Sequence, residues 1–365
     1  MKHVTLPCLL VLCAGAASAQ SSVTLFGVVD QTFAHGSGSI SSRNQLANSG
    51  LASSRVGFRG REDLGNALYA GFWLEASLAT DSGAGVGTNT NNQTTGGATC
   101  TVASAPGATC SVALNGSQGL AFNRLSYVNI GGSWGEVRLG RDYTPQLWNL
   151  AVNDPFFTNG VGTTQAINSI LFVPTAVRAS NSIGYFLPQG LGGFCGQVMY
   201  YLGENARNGA ATQDDGSGAG ARLGWGNKAF DVAVTTSRSR YATGDIRQSN
   251  FGGSWTMGVW KLMAEYSRDR FGAVHGKGGL VGGSFDIGAG QVRASVSTYE
   301  TDAVGNPTSK KFAVGYIHNL SKRSALYATY AHVSNGGGAA QALNGAVTAA
   351  GRSSSGLDVG IKHSF

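Results

Sequence analysis

The sequence predicts an all-β chain closed into a sixteen-stranded antiparallel transmembrane barrel, and three observations carry that expectation. Apolar and polar residues alternate with period two through almost the whole chain after residue 19. Glycine supplies 56 of 365 residues and proline only 7, while charged residues reach 12%, about half the usual share of roughly 25%. The connections alternate between brief turns and long loops rich in Gly, Asn and Thr, the asymmetry of barrels with one short-turned and one long-looped rim. In lipid every backbone polar group must find a partner within the protein, so a sheet placed there must close on itself. One face then meets hydrocarbon and the other water, which gives alternation without long apolar runs. At 42% hydrophobic the chain is too apolar to be disordered. No run downstream of the N-terminus approaches the ~20 apolar residues of a spanning helix.

The elements follow in order. Residues 1–19 read as a cleaved export signal: Lys2 supplies the positive end, Leu6 to Gly15 the apolar stretch, and Ala17-Ser18-Ala19 the small-residue cleavage site. Residues 20–365 form the barrel. Val23 to Asp30 opens it, and a Gly/Ser stretch from Gly36 to Gly50 follows. Ser54-Arg55-Val56-Gly57-Phe58-Arg59-Gly60-Arg61 alternates cleanly, with Val56 and Phe58 on one face and the three arginines on the other. Ala67 to Thr80 makes the next strand. Short turns are expected near Asn66, Gly132, Gln189, Asn227, Gly258, Gly288 and Leu320, and longer loops over 81–118, 145–179, 204–216 and 336–351. Aromatics at strand ends (Phe26, Phe72, Trp73, Tyr127, Tyr185, Phe186, Tyr200, Tyr266, Tyr316 and Tyr327) are expected to form the interfacial girdles. The last strand puts Leu357, Val359, Ile361, His363 and Phe365 on one face and Asp358, Gly360, Lys362 and Ser364 on the other.

Other chemistries lack their residues. The net charge of +7 comes from scattered Lys and Arg without a basic stripe, so no nucleic-acid partner is expected. Gly131-Gly132-Ser133-Trp134-Gly135 matches the nucleophile elbow but joins two strands, where that motif needs a strand-to-helix turn. Neither a zinc-protease motif nor a phosphate-binding loop is present, and the histidines are dispersed. The chain therefore reads as a non-enzyme without a cofactor. Cys100 and Cys110, ten positions apart in an exported chain, are expected to close a local disulfide in a surface loop. Cys195 reads as a small apolar strand residue.

Four segments together resemble the general porins of betaproteobacteria. Ser22 to Asp30 is similar to that family's first strand, Ser54 to Gly60 with Glu62-Asp63-Leu64-Gly65 to its second strand and turn, Gly135 to Pro145 to its fifth, and Val359 to Phe365 to its closing strand. The resemblance covers the chain after the leader. It implies an outer-membrane homotrimer whose third loop, here about 145–179, folds inward to narrow the pore, and a terminal Phe365 read by the outer-membrane assembly machinery.

A passive channel for small hydrophilic solutes, favouring anions, is the function these features imply. A surface adhesin or glycan-binding barrel acting through its long loops is the competing reading. A tilted strand climbs about 2.4 Å per residue along the pore axis (roughly 3.3 Å rise at about 45°). Arg55 lies eight residues from the turn at Asp63 and Arg124 seven from the turn at Gly131, so both are expected near mid-pore. Arg178, beside the return of the third loop, reaches the same level from above, and the resemblance also places arginines at the constriction. Arg59 and Arg138 join this pore-lining set, and Asp154, the only carboxylate of the third loop, is the expected acid opposite them. The alternative is that these arginines are ordinary wall residues bonded to loop carbonyls.

Overall fold

The computed structural model describes residues 22–93, 121–164 and 174–365. The leader at 1–19 and the Cys100–Cys110 pair lie outside the described residues. In chain order the elements are β1 (Ser22–Gly38), β2 (Arg43–Asn48), β3 (Arg55–Gly65), β4 (Leu68–Ala79), β5 (Ala84–Gly85), β6 (Leu125–Gly132), β7 (Gly135–Tyr143), α1 (Pro145–Val152), β8 (Arg178–Phe186), β9 (Phe194–Tyr201), β10 (Gly218–Gly226), β11 (Phe230–Ser239), β12 (Ile246–Met257), β13 (Trp260–Phe271), β14 (Val274–Ile287), β15 (Gly290–Thr301), β16 (Thr308–Asn319), β17 (Ser324–Gly336) and β18 (Ser354–Ser364). The short β2 and β5 sit within loops, and the other sixteen form one closed antiparallel wall.

Closure is made by the ends of the chain. Along β1, Ser22 to Val28 pairs with β3 and Val28 to Gly38 pairs with β18. Phe365 finishes the seam, exchanging backbone hydrogen bonds of 3.0 and 3.1 Å with Gly27. No wall strand is left with a free edge, which is the condition lipid imposes.

Along β11, β13, β14 and β15 the alternation predicted from sequence appears as an inverted burial pattern. Ser237, Ser267, Ser295 and Ser297 point into the barrel and are buried, while Val232, Val234, Leu262, Val281 and Val296 point outward and are exposed. In water that arrangement would be unfavourable; in a bilayer the outer row is covered by acyl chains.

Two expectations need correction. The contrast between short and long connections holds for the loops after β1, β4, β7, β9 and β17, but 240–245, 272–273 and 302–307 on the same rim are short. The aromatic girdle is also only partly outward. Tyr200, Tyr266 and Tyr316 face out and are exposed, whereas Tyr127 and Tyr327 are buried inside. Phe26 and Trp73 lie opposite Gly57 and Arg59 on the inner face, with their rings edge to face at 5.1 Å. The reason is the inward arginines of this quarter of the wall, whose guanidinium groups take aromatic faces as partners.

The third loop folds into the lumen and contains a helix that the period-two pattern did not announce. Pro145 starts α1 at a position where its missing N–H costs nothing. The helix buries a polar face: Asn149 Nδ2 donates to Asn250 Oδ1 at 2.7 Å and to the Ala233 carbonyl at 3.1 Å. Gln146 Nε2 donates to the Thr175 carbonyl at 2.9 Å. Phe156 and Val161 then pack with Tyr299, Ala313, Ala331, Val333 and Leu343, so the main apolar cluster lies inside the barrel where the loop meets the wall. Glycines make room for this approach. A Cβ on Gly282 would lie 2.9 Å from Pro155 Cγ, and one on Gly315 would lie 3.2 Å from Phe156.

Candidate functional site

Where the third loop leaves the lumen open, a cavity of about 630 Å³ is lined by Arg55, Arg124, Arg178 and Arg293 from the wall side, and by Trp148, Phe157 and Asn159 from the loop. Three of these arginines are placed by strand ends. Arg55 opens β3 and Arg178 opens β8. Arg124 precedes β6, its amide bonded to the Glu75 carbonyl at 3.0 Å. Arg293 comes from the inner face of β15 and donates to the Pro155 carbonyl at 3.0 Å.

One carboxylate serves two of these cations. Arg124 donates through Nε to Glu75 Oε1, and Arg55 Nε stands 3.7 Å from the same oxygen. Arg55 also donates to the Ser53 carbonyl at 2.9 Å. Glu75 is 4% exposed and is held from the other side by Trp73 Nε1 at 3.2 Å. Arg124 and Arg178 converge on the Tyr143 hydroxyl, which accepts from their Nη2 atoms at 2.6 and 3.1 Å. The Arg178 guanidinium also lies 4.6 Å from the centre of the Tyr143 ring. Of the three wall arginines gathered here, two share one buried carboxylate; among the described residues Arg178 has no carboxylate within ion-pair distance and no carboxylate lines the cavity. Fixed positive charge in a narrow space with low-dielectric walls raises the local concentration of anions.

The remaining sequence candidates lie elsewhere. Arg59, on the same strand face as Arg55 but four residues nearer the turn, sits about 10 Å lower. Its guanidinium is 5.4 Å from the Phe26 ring and 5.2 Å from the Trp73 ring. Arg138 stacks over Phe186 at 4.0 Å and Tyr127 at 4.8 Å, with Glu136 at 2.5 Å and Asp142 at 3.0 Å as counter-charges. These two arginines are not among the residues lining the cavity.

Asp154 does not face the arginines across the pore. It is fully buried, and its carboxylate accepts the amides of Phe156, Thr158 and Thr164 at 2.8, 3.0 and 3.2 Å. Burial raises its pKa above the ordinary carboxylate value, opposed by those same amides. Its work is structural. Phe157 and Thr158 adopt φ of +50° and +57°, left-handed values that cost non-glycine residues about 1–3 kcal/mol each, and the Asp154 carboxylate fastens the turn that imposes them.

Several site residues were not found from sequence. Glu75 shares the inward parity of Trp73 and could have been found from it. Tyr143 and Arg293 gain their roles only through the loop they meet. The anchors of that loop are likewise wall residues: Asp358 accepts the Val161 amide at 2.7 Å, and Lys311 Nζ donates to the carbonyls of Val161, at 3.1 Å, and Thr163.

Comparison with known proteins agrees with this architecture. A model of the Gram-negative porin family matches residues 8–338. The outer membrane porin protein 32 of Delftia acidovorans is 31% identical over 386 aligned positions that cover all of both chains. Among solved structures, the anion-selective porin from Comamonas acidovorans superposes with a TM-score of 0.78 at 30% identity, over 94% of this chain and all of that one. The trimer form of OmpT from Vibrio cholerae superposes with a TM-score of 0.62 at 13% identity, over 94% of this chain and 99% of that one, and shares the fold.

Proposed function

The chain belongs to the Gram-negative porin family and is an outer-membrane protein rather than an enzyme; from that premise we propose that it is a passive diffusion channel for small hydrophilic solutes with a preference for anions. The observation that carries the preference is the cavity at the third loop, where Arg55, Arg124 and Arg178 gather around one buried carboxylate, Glu75, which pairs with only the first two. A solute passing there exchanges water for guanidinium donors, and an anion gains where a cation is repelled. The relative named as anion-selective supports the same reading. Assembly as a homotrimer is part of the proposal, supported by the trimer form of the Vibrio cholerae barrel. The adhesin reading is not favoured by this family.

Purified protein added to a planar bilayer should give discrete conductance steps, and liposomes carrying it should swell faster in a small neutral sugar than in a large one. Absence of steps from heat-shifting, β-rich protein would overturn the channel reading.

Phe365 is proposed as the signal by which the outer-membrane assembly machinery receives the chain. Its ring stands over Gly27 on the outer face at the closing seam. Phe365→Ala should lower the yield of assembled barrel while leaving the conductance of each assembled channel unchanged. Heat-shift gels and single-channel recordings read the two quantities separately, and equal yield would assign the residue to packing alone.

A further inference from the structure

The outer wall carries a charged feature that the channel does not use. On the outward face of β11 to β14, the ladder registers place cations directly opposite one another. Arg238 pairs with Arg247, Arg247 with Arg270, and Arg270 with His275. One row lower, Arg268 faces Lys277. Directly opposed side chains have Cβ atoms about 4.5–5.5 Å apart, and like charges in such pairs repel. All of these cations are exposed.

Local acids neutralise only part of the row. Asp245 takes Arg238 at 2.6 Å, Glu300 takes Lys277 at 2.9 Å, and Asp302 accepts from His275 at 2.8 Å. Among the described residues, Arg247 and Arg268 have no carboxylate within ion-pair distance. Between the rows lies a depression of about 640 Å³ lined by Tyr266, Arg268, His275, Lys277, Glu300 and Asp302.

What lies beneath identifies the occupant. Each same-face step down a strand descends roughly 5 Å along the membrane normal (two residues of about 3.3 Å at about 45°). One step below Arg268 is Tyr266, in one ladder row with Phe251 and Val234, and the next step reaches the row of Val281 and Val296. All five are exposed on the outward face. The cations thus sit at the edge of the apolar band on the long-looped rim, where a molecule with anionic head and acyl chains would meet both surfaces at once. A free anion would use only the upper one.

We propose that this outward row, centred on Arg247, Arg268, Arg270 and Lys277, binds the phosphate groups of a glycolipid of the outer leaflet. The guanidinium groups supply charge-assisted donors to phosphate oxygens, and the lipid anion removes the repulsion between opposed cations. Nothing in this site touches the pore, so it stands or falls independently of anion preference.

The test uses the full protein in detergent, diphosphorylated lipid A as the probe, and native mass spectrometry as the readout. Wild type should retain lipid A, and Arg247→Ser/Arg268→Ser should weaken retention at least about tenfold, since each basic residue near an anionic surface contributes appreciably. Arg247→Lys/Arg268→Lys should keep most of it, and dephosphorylated lipid A should bind wild type as weakly as intact lipid A binds the serine variant. Heat-shift behaviour and conductance of the serine variant should match wild type, showing an intact barrel. Equal lipid retention by wild type and the serine variant would overturn the proposal. So would inorganic phosphate displacing the lipid at equal concentration, or a serine variant that changes oligomeric mass without losing lipid, which would make this face a contact between copies.

Discussion

Replacing Arg55 and Arg124 together by Ser should move the zero-current potential in a salt gradient toward cation preference, and this is the largest functional effect expected from any pair in the lumen. Both guanidinium groups address Glu75 Oε1. Their loss removes two positive charges and uncovers one negative charge at the same point. The shift should be greatest at low salt, because the screening length falls from about 10 Å at 0.1 M to about 3 Å at 1 M. A carboxylate left buried and unpaired also destabilises, by about 3–5 kcal/mol when one partner of a buried pair is removed. The triple variant with Glu75→Gln therefore separates charge from folding: it should recover heat resistance while keeping a weakened anion preference. If the double variant leaves the potential unchanged, Arg55 and Arg124 are wall residues bonded to Ser53 and Tyr143, and any selectivity arises elsewhere along the lumen.

Lys311→Met should release the third loop. Lys311 is 3% exposed and donates to the carbonyls of Val161 and Thr163, on the stretch whose Val161 amide is held by Asp358. Methionine matches the length of the stem but cannot donate, so two loop carbonyls lose a charged partner inside the barrel. Bonds to charged groups are worth roughly 1.5–3 kcal/mol each. The wall ladders do not pass through this residue, so the barrel should persist while the loop samples positions away from the wall. Single-channel records should show a changed mean conductance and clearly greater open-channel noise, with β-content retained. Records indistinguishable from wild type would mean that Phe156, Val161 and Asp358 suffice to hold the loop.

The parts of the molecule that period two controls were legible in the sequence. Strand parity put Val359 and Ile361 outward and Asp358 inward, and it put Arg55 on the lumen side of β3. What parity cannot supply is the register between strands. Phe26 and Trp73 read as girdle residues because their own strands do not say which face meets Arg59; the pairings Thr24 with Arg59 and Arg59 with Trp73 decide it. The third loop was hidden for a different reason. Eight residues span about two helical turns, and the buried face mixes Leu147 with Gln146 and Asn149 against Asn250, so the segment is too short and too mixed for a helical period to stand out. Asp154 was misplaced because counting carboxylates in a loop ignores the loop's own amides, which bind that carboxylate more directly than any distant arginine.

The zero-current potential of the wild-type channel across a gradient from about 0.1 M to about 1 M potassium chloride tests the central claim most directly. Three wall arginines beside a single buried carboxylate, which pairs with two of them, predict a potential of the sign given by chloride passing more readily than potassium, growing as both solutions are diluted. A potential of the opposite sign, or one that stays at zero on dilution, would contradict the assignment of this lumen as anion-preferring.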